Sequence, residues 1–422
     1  MRIQKSSSLH THLDYKLKSH FLSLCTLPEN EQPTHSVKIL SMSSPKKKHN
    51  RRKSLRDLFD LEIPRVVIPS PNTRPNITNN HAPTPPLHHI KRLAEKSETL
   101  SMTIRADDVY LQYSSDDNPK KLFEKASNWL LAIQENSAEN DHADTILKET
   151  HEAIIRAIFG SNMIERAGLG WDITVHLCRK IFSGEDVTDI PERTPEYESE
   201  LLEMYRKEGN LKDMPAQYVL RGRREIIQHA RAFQYLIHTF VVLREDLTEE
   251  IIKETHRILT KGIPIVQEGM DDVAPEKYGG IYRDVAVGAG STMFTVPQFV
   301  PRKMKEFCEK LKEDISLAET RGFIDPFSIA SKYSLEFVQI HPFQDGNGRT
   351  CRMILNAILC RYAGIIVPIG EQGEERSEYI AIKRNASENM DGHGPYALFV
   401  LTRAVTRLRE LKKKMAGKGR RK

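Results

Sequence analysis

The sequence has no run of 18 consecutive apolar residues, which is about the length that a membrane-spanning helix needs. Its longest apolar stretches, around Phe233–Leu243 and Met353–Ile369, are interrupted by polar residues, so we expect no membrane span. The N-terminus lacks an apolar stretch long enough for a secretory signal. The five cysteines include no C-x-x-C pair, which argues against a structural zinc site or a disulfide framework and for a reducing compartment. We therefore expect a cytoplasmic protein.

Acidic residues are scarce at both ends of the chain, although the net charge of the whole is only +6. Residues 1–60 hold 12 Lys and Arg against 5 Asp and Glu, and Lys412–Lys422 adds seven basic residues and no acid. Basic arms of this kind bind nucleic acid, acidic lipid or an import receptor, or are simply solvated. We expect a solvated tail and no nucleic-acid partner, whereas the cluster Lys46–Lys48 with Arg51–Lys53 leaves nuclear import open as an alternative.

Composition and periodicity divide the chain into four parts. Residues 1–100 are rich in proline and basic residues without sustained periodicity, which predicts a disordered leader. Helical spacing then runs through 101–245 and 246–403, and a basic tail follows at 404–422. β-favouring residues around Gly288-Ala289-Gly290 predict a hairpin over Ile281–Val296. The predicted fold is mainly α, with helices at Pro119–Glu135, Ala143–Phe159, Asp172–Phe182, Pro195–Lys207, Arg223–Leu243, Ile251–Thr260, Pro301–Glu319, Pro326–Ile340, Gly348–Ala363, Ser377–Ser387 and Pro395–Lys414.

The stretch His341–Arg352 reads HPFQDGNGRTCR and carries the strongest chemical signal in the sequence. The proline that follows His341 ends the preceding helix, and Gly346 and Gly348 allow a sharp turn and a close approach to a ligand. A new helix starting at Gly348 directs its unpaired N–H groups into this loop, where they suit a phosphate. Arg349 and Arg352 are three apart on that helix, so they can reach two phosphates, or one phosphate and one carboxylate.

The remaining polar residues of the loop suit phosphate transfer. Asp345 is a hard oxygen ligand for a Mg²⁺ ion that bridges phosphate oxygens. His341, at the loop entry, can take the proton from an attacking hydroxyl at neutral pH. Asn347 can hold the loop or bind phosphate through its amide. Phe343 is expected to be a buried anchor that fixes the loop.

These residues resemble the Fic family signature HxFx(D/E)GNGRxxR at all eight fixed positions, namely His341, Phe343, Asp345, Gly346, Asn347, Gly348, Arg349 and Arg352. The resemblance covers about residues 246–403. Glu254–Leu259 is similar to an early helix of the Fic fold, and Gly279–Arg283 is similar to the lead into its flap. The resemblance thus implies a Fic-type helical bundle at 246–403 with a β-hairpin flap at 281–296, preceded by a helical regulatory region.

The resemblance implies a protein adenylyltransferase that moves AMP from ATP to a Ser, Thr or Tyr hydroxyl of a protein held by the flap 281–296. His341 would activate the hydroxyl, which attacks the α-phosphate of ATP and releases pyrophosphate. Asp345 would hold Mg²⁺, the amides of Gly346–Gly348 would bind the phosphates, and Arg349 would grip the distal phosphate. Gly348 argues against a kinase, because the phosphorylating branch of the superfamily carries lysine there.

The segment Ser161-Asn-Met-Ile-Glu165 resembles the inhibitory motif (S/T)xxxE(G/N) of the family. Four residues apart on a helix, Ser161 and Glu165 share one face. The resemblance implies that Glu165 occupies Arg349, so that the carboxylate competes with a phosphate of ATP for one guanidinium. Arg166 stands where the motif has Gly or Asn. The same glutamate implies AMP removal as a further activity, and a homodimer is left open.

Tyr379 matches a tyrosine that the family places against the adenine base, although Ile380 and Ser387 depart from the pattern nearby. Two alternatives to the adenylyltransferase stay open. One is a Fic-fold transferase with another phosphate-linked donor, such as phosphocholine. The other is a catalytically silent interaction module.

Overall fold

The computed structural model describes residues 100–104, 110, 118–136, 140–190, 195–266, 271–289, 292–388 and 392–419. The predicted leader, apart from Leu100, and the last three residues of the basic tail therefore lie outside the described residues. The mainly α fold class is confirmed. The helices are α1 Pro119–Asn136, α2 Asn140–Glu165, α3 Trp171–Ser183, α4 Pro195–Lys207, α5 Ala216–Leu236, α6 Glu249–Thr260, α7 Pro275–Tyr278, α8 Val300–Arg321, α9 Pro326–Ile340, α10 Asn347–Ala363, α11 Gly373–Glu388 and α12 Gly394–Gly419.

Helix ends follow the capping chemistry of the sequence. Thr248 caps α6, because its side chain accepts a hydrogen bond from the Ile251 N–H at 3.3 Å, and Asp325 caps α9 in the same way. Helix α2 continues to Glu165, past the predicted end at Phe159, so Ser161 and Glu165 lie in its last turns. Helix α5 begins directly after Pro215 and passes into a wider π-helical segment at Ile237–Val242, whereas the sequence predicted one regular helix from Arg223.

Strands are few and short in the described part of the chain. β2 (Gly288–Ala289) pairs antiparallel with β3 (Thr292–Met293), which makes a much shorter ladder than the predicted hairpin over Ile281–Val296. The shortening has a local reason, since the carbonyls of Val285 and Thr295 accept hydrogen bonds from an arginine side chain instead of pairing across the hairpin. A second, parallel pair joins β1 (Ser101–Met102) to β4 (Phe323–Ile324), which the sequence did not predict.

Helix α10 is the centre of the core. All of its residues except Gly348 are buried, and α2, α5 and α9 pack around it. Buried polar side chains on α10 are satisfied by backbone groups. For example, Asn356 donates to the Val367 carbonyl at 3.2 Å and accepts from the Val367 N–H at 2.7 Å. Because α10 is held on several sides, the loop at its N-terminus has a fixed position. No helix in the described residues is long and apolar enough to cross a bilayer.

Candidate active site

The loop between α9 and α10 is shaped by two left-handed residues. His341 ends α9 with φ 52°, and its N–H donates to the Phe337 carbonyl at 3.0 Å. Gly346 has φ 77° and forms the N-cap of α10. The left-handed conformation costs about 1–2 kcal/mol for a residue with a Cβ, so His341 keeps it only because neighbouring groups hold it there. The loop consequently presents its side chains at the N-terminus of α10.

The His341 ring has one nitrogen committed to structure. Nδ1–H donates to the Val338 carbonyl at 3.1 Å, which leaves Nε2 as the nitrogen with a lone pair. The ring lies flat against Phe294, with ring centroids 3.8 Å apart and planes inclined by 14°. Burial lowers the pKa of His341 to about 4, and repulsion from Arg283 acts in the same direction. The imidazole is therefore neutral at physiological pH and able to accept a proton at Nε2.

Asn347 holds the loop closed. Its Oδ1 accepts from the Phe343 N–H at 3.0 Å, and its Nδ2 donates to the Phe343 carbonyl at 2.7 Å. Of the two roles that the sequence left open for this amide, the structure shows the first. Phe343 is fully buried, which confirms the prediction of an anchor, and it stacks on His256 with centroids 3.7 Å apart.

His256, on α6, is a site residue that the sequence analysis missed. Its Nδ1 accepts from the Gly280 N–H at 2.9 Å, so Nε2–H donates to the Asp345 carbonyl at 2.8 Å. Burial lowers the pKa of His256 to about 4, which keeps the ring neutral in this arrangement. Its position on the buried face of an amphipathic helix was visible in the sequence. The sequence did not show that its partners would be the loop and the segment that leads into the flap.

Arg349 and Asp345 form the anion-binding corner of the loop. Arg349 Nη2 lies 3.4 Å from Asp345 Oδ2, and Asp345 Oδ1 accepts from the Gly346 N–H at 2.6 Å. The Arg349 side chain is only 5% exposed, yet its Nε and Nη1 have no hydrogen-bond partner. A guanidinium beside a helix N-terminus attracts anions, so this corner is suited to an anion with several acceptor oxygens.

Asp345 is the candidate metal ligand. Its side chain is 44% exposed and offers a hard carboxylate oxygen beside the anion-binding corner. In the part of the chain that the structure describes, no cluster of three or more His, Cys, Asp or Glu could hold a metal without further ligands. A site with one carboxylate fits Mg²⁺, which commonly binds one or two carboxylates together with substrate phosphates.

Glu165, the predicted inhibitory glutamate, pairs with a different arginine from the one predicted. The sequence analysis assigned Glu165 to Arg349, but Glu165 Oε1 accepts from Arg352 Nη2 at 2.6 Å. Ser161 binds the same guanidinium, since its Oγ accepts from Arg352 Nε at 2.8 Å and its carbonyl accepts from Nη2 at 3.0 Å. The assignment to Arg349 was therefore wrong. Arg352 is directed at α2, whereas Arg349, one turn closer to the loop, is turned towards Asp345.

The Glu165 carboxylate also covers the first turn of α10. A Cβ placed on Gly348 would lie 1.9 Å from Glu165 Oε1, so the carboxylate fills the space that any larger residue would take. The N-terminal turn of a helix attracts anions through its free N–H groups and its dipole. Glu165 thus lies over this helix end in addition to binding Arg352.

The end of α2 is held in place from two sides. His229 of α5 donates from Nδ1 to Asn162 Oδ1 at 2.7 Å, and Arg376 of α11 donates to the Ile164 carbonyl at 3.1 Å. Arg166 follows Glu165 with φ 55°, a left-handed conformation that glycine and asparagine adopt most easily. This conformation gives a physical reason for the Gly or Asn of the motif at the position where this chain has arginine.

Tyr379 lies behind the contact between Glu165 and Arg352. Its hydroxyl accepts from Arg352 Nη1 at 3.4 Å, and its ring packs near Tyr396 and Phe399. Only 4% of the residue is exposed. In this arrangement Tyr379 supports Arg352, and its stacking on an adenine base stays a prediction.

Comparison with known proteins identifies the domain that contains this loop. Residues 246–359 match the model of the Fic/DOC family. This segment is similar to the Fic/DOC family. The match includes α6, the flap, α9 and most of α10, so the Fic-type helical bundle with a hairpin flap that the sequence predicted is confirmed. The predicted domain limits at 101, 246 and 403 stay predictions.

Curated relatives of this segment include several animal proteins. The chain is 27% identical over 166 residues to "Protein adenylyltransferase fic-1" of Caenorhabditis elegans, and 28% identical over 177 residues to "Protein adenylyltransferase Fic" of Nematostella vectensis. These alignments cover 38% and 42% of this chain. The chain spans about a third of the length of these relatives, since 28% and 36% of them are covered. Among solved structures, Fic-1 from C. elegans is similar with a TM-score of 0.46 at 20% identity, covering 70% of each chain.

Proposed function

We propose that this protein transfers AMP from ATP to a Ser, Thr or Tyr hydroxyl of a target protein, and that Glu165 inhibits the reaction by default. The observation that carries the proposal is the shared placement of His341, whose Nδ1–H is held by the Val338 carbonyl, and the Arg349 guanidinium at the N-terminus of α10. A cation beside a helix N-terminus suits a polyphosphate. The animal relatives with the name adenylyltransferase support AMP as the transferred group.

In the transfer reaction, His341 acts as the general base. The target hydroxyl oxygen attacks the α-phosphorus, its proton passes to His341 Nε2, and the bond to the pyrophosphate oxygen breaks. Pyrophosphate leaves with the electron pair of that bond. The hydrogen bond from Nδ1–H to the Val338 carbonyl fixes the tautomer in which Nε2 can accept the proton. The negative charge of bound phosphates raises the pKa of His341 from its low value in the free protein, which makes the imidazole a better base.

Arg349 and the first N–H groups of α10 bind the phosphates, and Asp345 would hold Mg²⁺. The ion would neutralise charge on the phosphate oxygens. Asn347 keeps the loop in the conformation that presents these groups, through its two hydrogen bonds to Phe343. Because the loop is fixed before ATP binds, little reorganisation is needed at the moment of reaction.

Inhibition follows from the contacts of Glu165. The carboxylate holds Arg352 and lies over Gly348, so a phosphate at the end of α10 meets a negative charge and an occupied volume. Like charges in close contact repel, and the guanidinium is already paired. Productive binding of ATP therefore requires that Glu165 leaves this position.

The test is Glu165→Gly incubated with labelled ATP and a lysate. We expect increased labelling relative to the native protein, with a mass gain of AMP on Ser, Thr or Tyr. Met163→Gly is the matched control, because Met163 lies in the same helical turn and is 38% exposed. It introduces the same backbone freedom while Glu165 and Arg352 stay intact. Labelling by Glu165→Gly at or below the native level would remove the inhibitory role of Glu165.

The catalytic role is tested in the Glu165→Gly background by adding His341→Ala. We expect transfer to fall by at least about 100-fold, in the range for loss of a general base, while ATP binding is largely retained. Calorimetry with ATP measures the binding and mass spectrometry of the target measures the transfer. A mass gain other than AMP would identify another phosphate-linked donor, and no gain at all would contradict a transferase.

A further inference from the structure

Within the described part of the chain, the Arg283 guanidinium is bonded to backbone carbonyls and to no acid. The residue is 5% exposed. Nε donates to the His341 carbonyl at 2.6 Å, Nη1 donates to Val285 at 2.9 Å, and Nη2 donates to Thr295 at 2.5 Å and to Ile340 at 3.4 Å. All three nitrogens of the guanidinium are therefore engaged. This geometry needs the planar fork of arginine, since an ammonium group cannot reach the same carbonyls from one position.

One side of this guanidinium stabilises the end of α9. The carbonyls of Ile340 and His341 lie where the helix carries its partial negative charge, which a buried cation offsets. The backbone N–H of Arg283 donates a further hydrogen bond to the Pro342 carbonyl at 2.9 Å. The backbone on both sides of His341 is therefore held. His341 has a left-handed backbone with φ 52°. Arg283 thus supplies contacts that this strained residue needs in order to keep its orientation.

The other side of the guanidinium holds the flap. Val285 lies on the arm that leads into the hairpin and Thr295 lies on the arm that leaves it, so Nη1 and Nη2 bind both arms. Phe294, next to Thr295, stacks on the His341 ring at 3.8 Å. A shift of either arm therefore moves a hydrogen-bond acceptor of Arg283 and the ring that covers His341.

We propose that Arg283 is a positioning residue that couples the flap to His341, so that the arrangement of the flap arms determines the orientation of the imidazole. The role of the coupling in transfer rests on the proposed function. A target segment that binds the flap would thereby orient the His341 imidazole, and it would place its own hydroxyl beside that ring at the same time. ATP binding, which uses the opposite end of the loop, is not part of this coupling.

The kinetic test uses Arg283→Lys and Arg283→Ala in the Glu165→Gly background. We expect Arg283→Ala to lower kcat on the order of 100-fold, the size of loss that follows a displacement of about 1 Å at a reacting group. Arg283→Lys should lose less, and the affinity for ATP should stay within about twofold in both, in line with a coupling that leaves the phosphate site alone. Arg302→Ala is the control, because Arg302 follows the flap but is exposed and contacts the Phe299 ring instead.

An NMR measurement tests the coupling without any reaction. Stacking on Phe294 shifts the His341 ring protons upfield, and the signals are assigned by their loss in His341→Gln. We expect Phe294→Ala and Arg283→Ala to move these signals downfield in the same direction, and Arg302→Ala to leave them in place. If Arg283→Ala does not fold, Arg283→Lys is measured in its place.

The outcomes separate the two proposals. A Glu165→Gly protein that transfers no AMP contradicts the proposed function, while the NMR shifts still decide the coupling. Unchanged His341 signals in a folded Arg283 variant overturn the coupling, whatever the activity. A parallel loss of kcat and ATP affinity, with those signals unchanged, would mean that Arg283 serves general stability only.

Discussion

At the scale of single residues, Gly348 leaves the space that the Glu165 carboxylate needs in order to reach Arg352. The family signature places glycine there, and the sequence explains it by a tight turn and a bound phosphate. The structure adds a different reason, because the Glu165 carboxylate occupies the place of a Cβ. Glycine at this position is therefore required by the contact between Glu165 and Arg352 itself, independently of any nucleotide.

Gly348→Ala should accordingly destabilise the native protein but not the Glu165→Gly variant. In the native background the new methyl group displaces Glu165 from Arg352, and the lost charged hydrogen bond is worth about 1–2 kcal/mol of unfolding free energy after allowing for partial exposure. In the Glu165→Gly background the clash is absent, and alanine favours the helix by up to about 1 kcal/mol. Urea unfolding of the four proteins measures the difference. Equal losses in both backgrounds would contradict it.

The same scale shows what the sequence could predict and what it could not. The loop chemistry was predictable because His341, Asp345 and Arg349 are close in sequence and their spacing is fixed by one turn and one helix. The partner of Glu165 was not, because residues three apart on a helix share a broad face and only packing decides which one meets α2. His256 and Arg283 contact the loop from 89 and 58 residues away, so no local pattern reveals them.

At the scale of elements, the last turns of α2, which carry Ser161 and Glu165, are held in position by contacts with neighbouring helices. Asn162 and His229 form a buried hydrogen bond between α2 and α5 at 2.7 Å. Burial lowers the pKa of His229 far below its ordinary value, aided by the charges of Arg349 and Arg352, so the ring is neutral and donates from Nδ1. This bond fixes the turn that carries Ser161 and Glu165.

Asn162→Ala should weaken inhibition without touching the arginine pair. Removal of the acceptor leaves the Nδ1–H of His229 buried and unpaired, which costs about 1–3 kcal/mol and loosens the end of α2. We expect a lower unfolding free energy and a faster transfer of AMP by the otherwise native protein. Met163→Ala, one residue further on and exposed, is the control. In the Glu165→Gly background, Asn162→Ala should not increase the transfer rate further. A further increase would mean that Asn162 acts by some route other than the contact between Glu165 and Arg352.

At the scale of the whole molecule, three histidines near α10 are neutral, of which His229 and His256 are buried and His341 is half-buried. Burial lowers the pKa of His256 and of His341 to about 4, and lowers that of His229 well below its ordinary value. In the unfolded chain all three would titrate near their ordinary pKa of about 6.5. Between these values the unfolded state binds more protons than the folded state, so protons favour unfolding as the pH falls.

The free energy of unfolding should therefore decrease as the pH is lowered from about 6.5 towards 4. Each such histidine contributes a slope of up to about 1.4 kcal/mol per pH unit. Glu208 and Glu375, whose pKa burial raises, act in the opposite direction, so the effect is best read as a difference between variants. His341→Gln should reduce the slope by up to about 1.4 kcal/mol per pH unit, the contribution of one proton. His176→Gln, at an exposed position, should change the slope less. Urea unfolding at pH 7, 6 and 5 measures the slopes. Equal slopes for the native protein and His341→Gln would show that His341 is not held neutral by the fold.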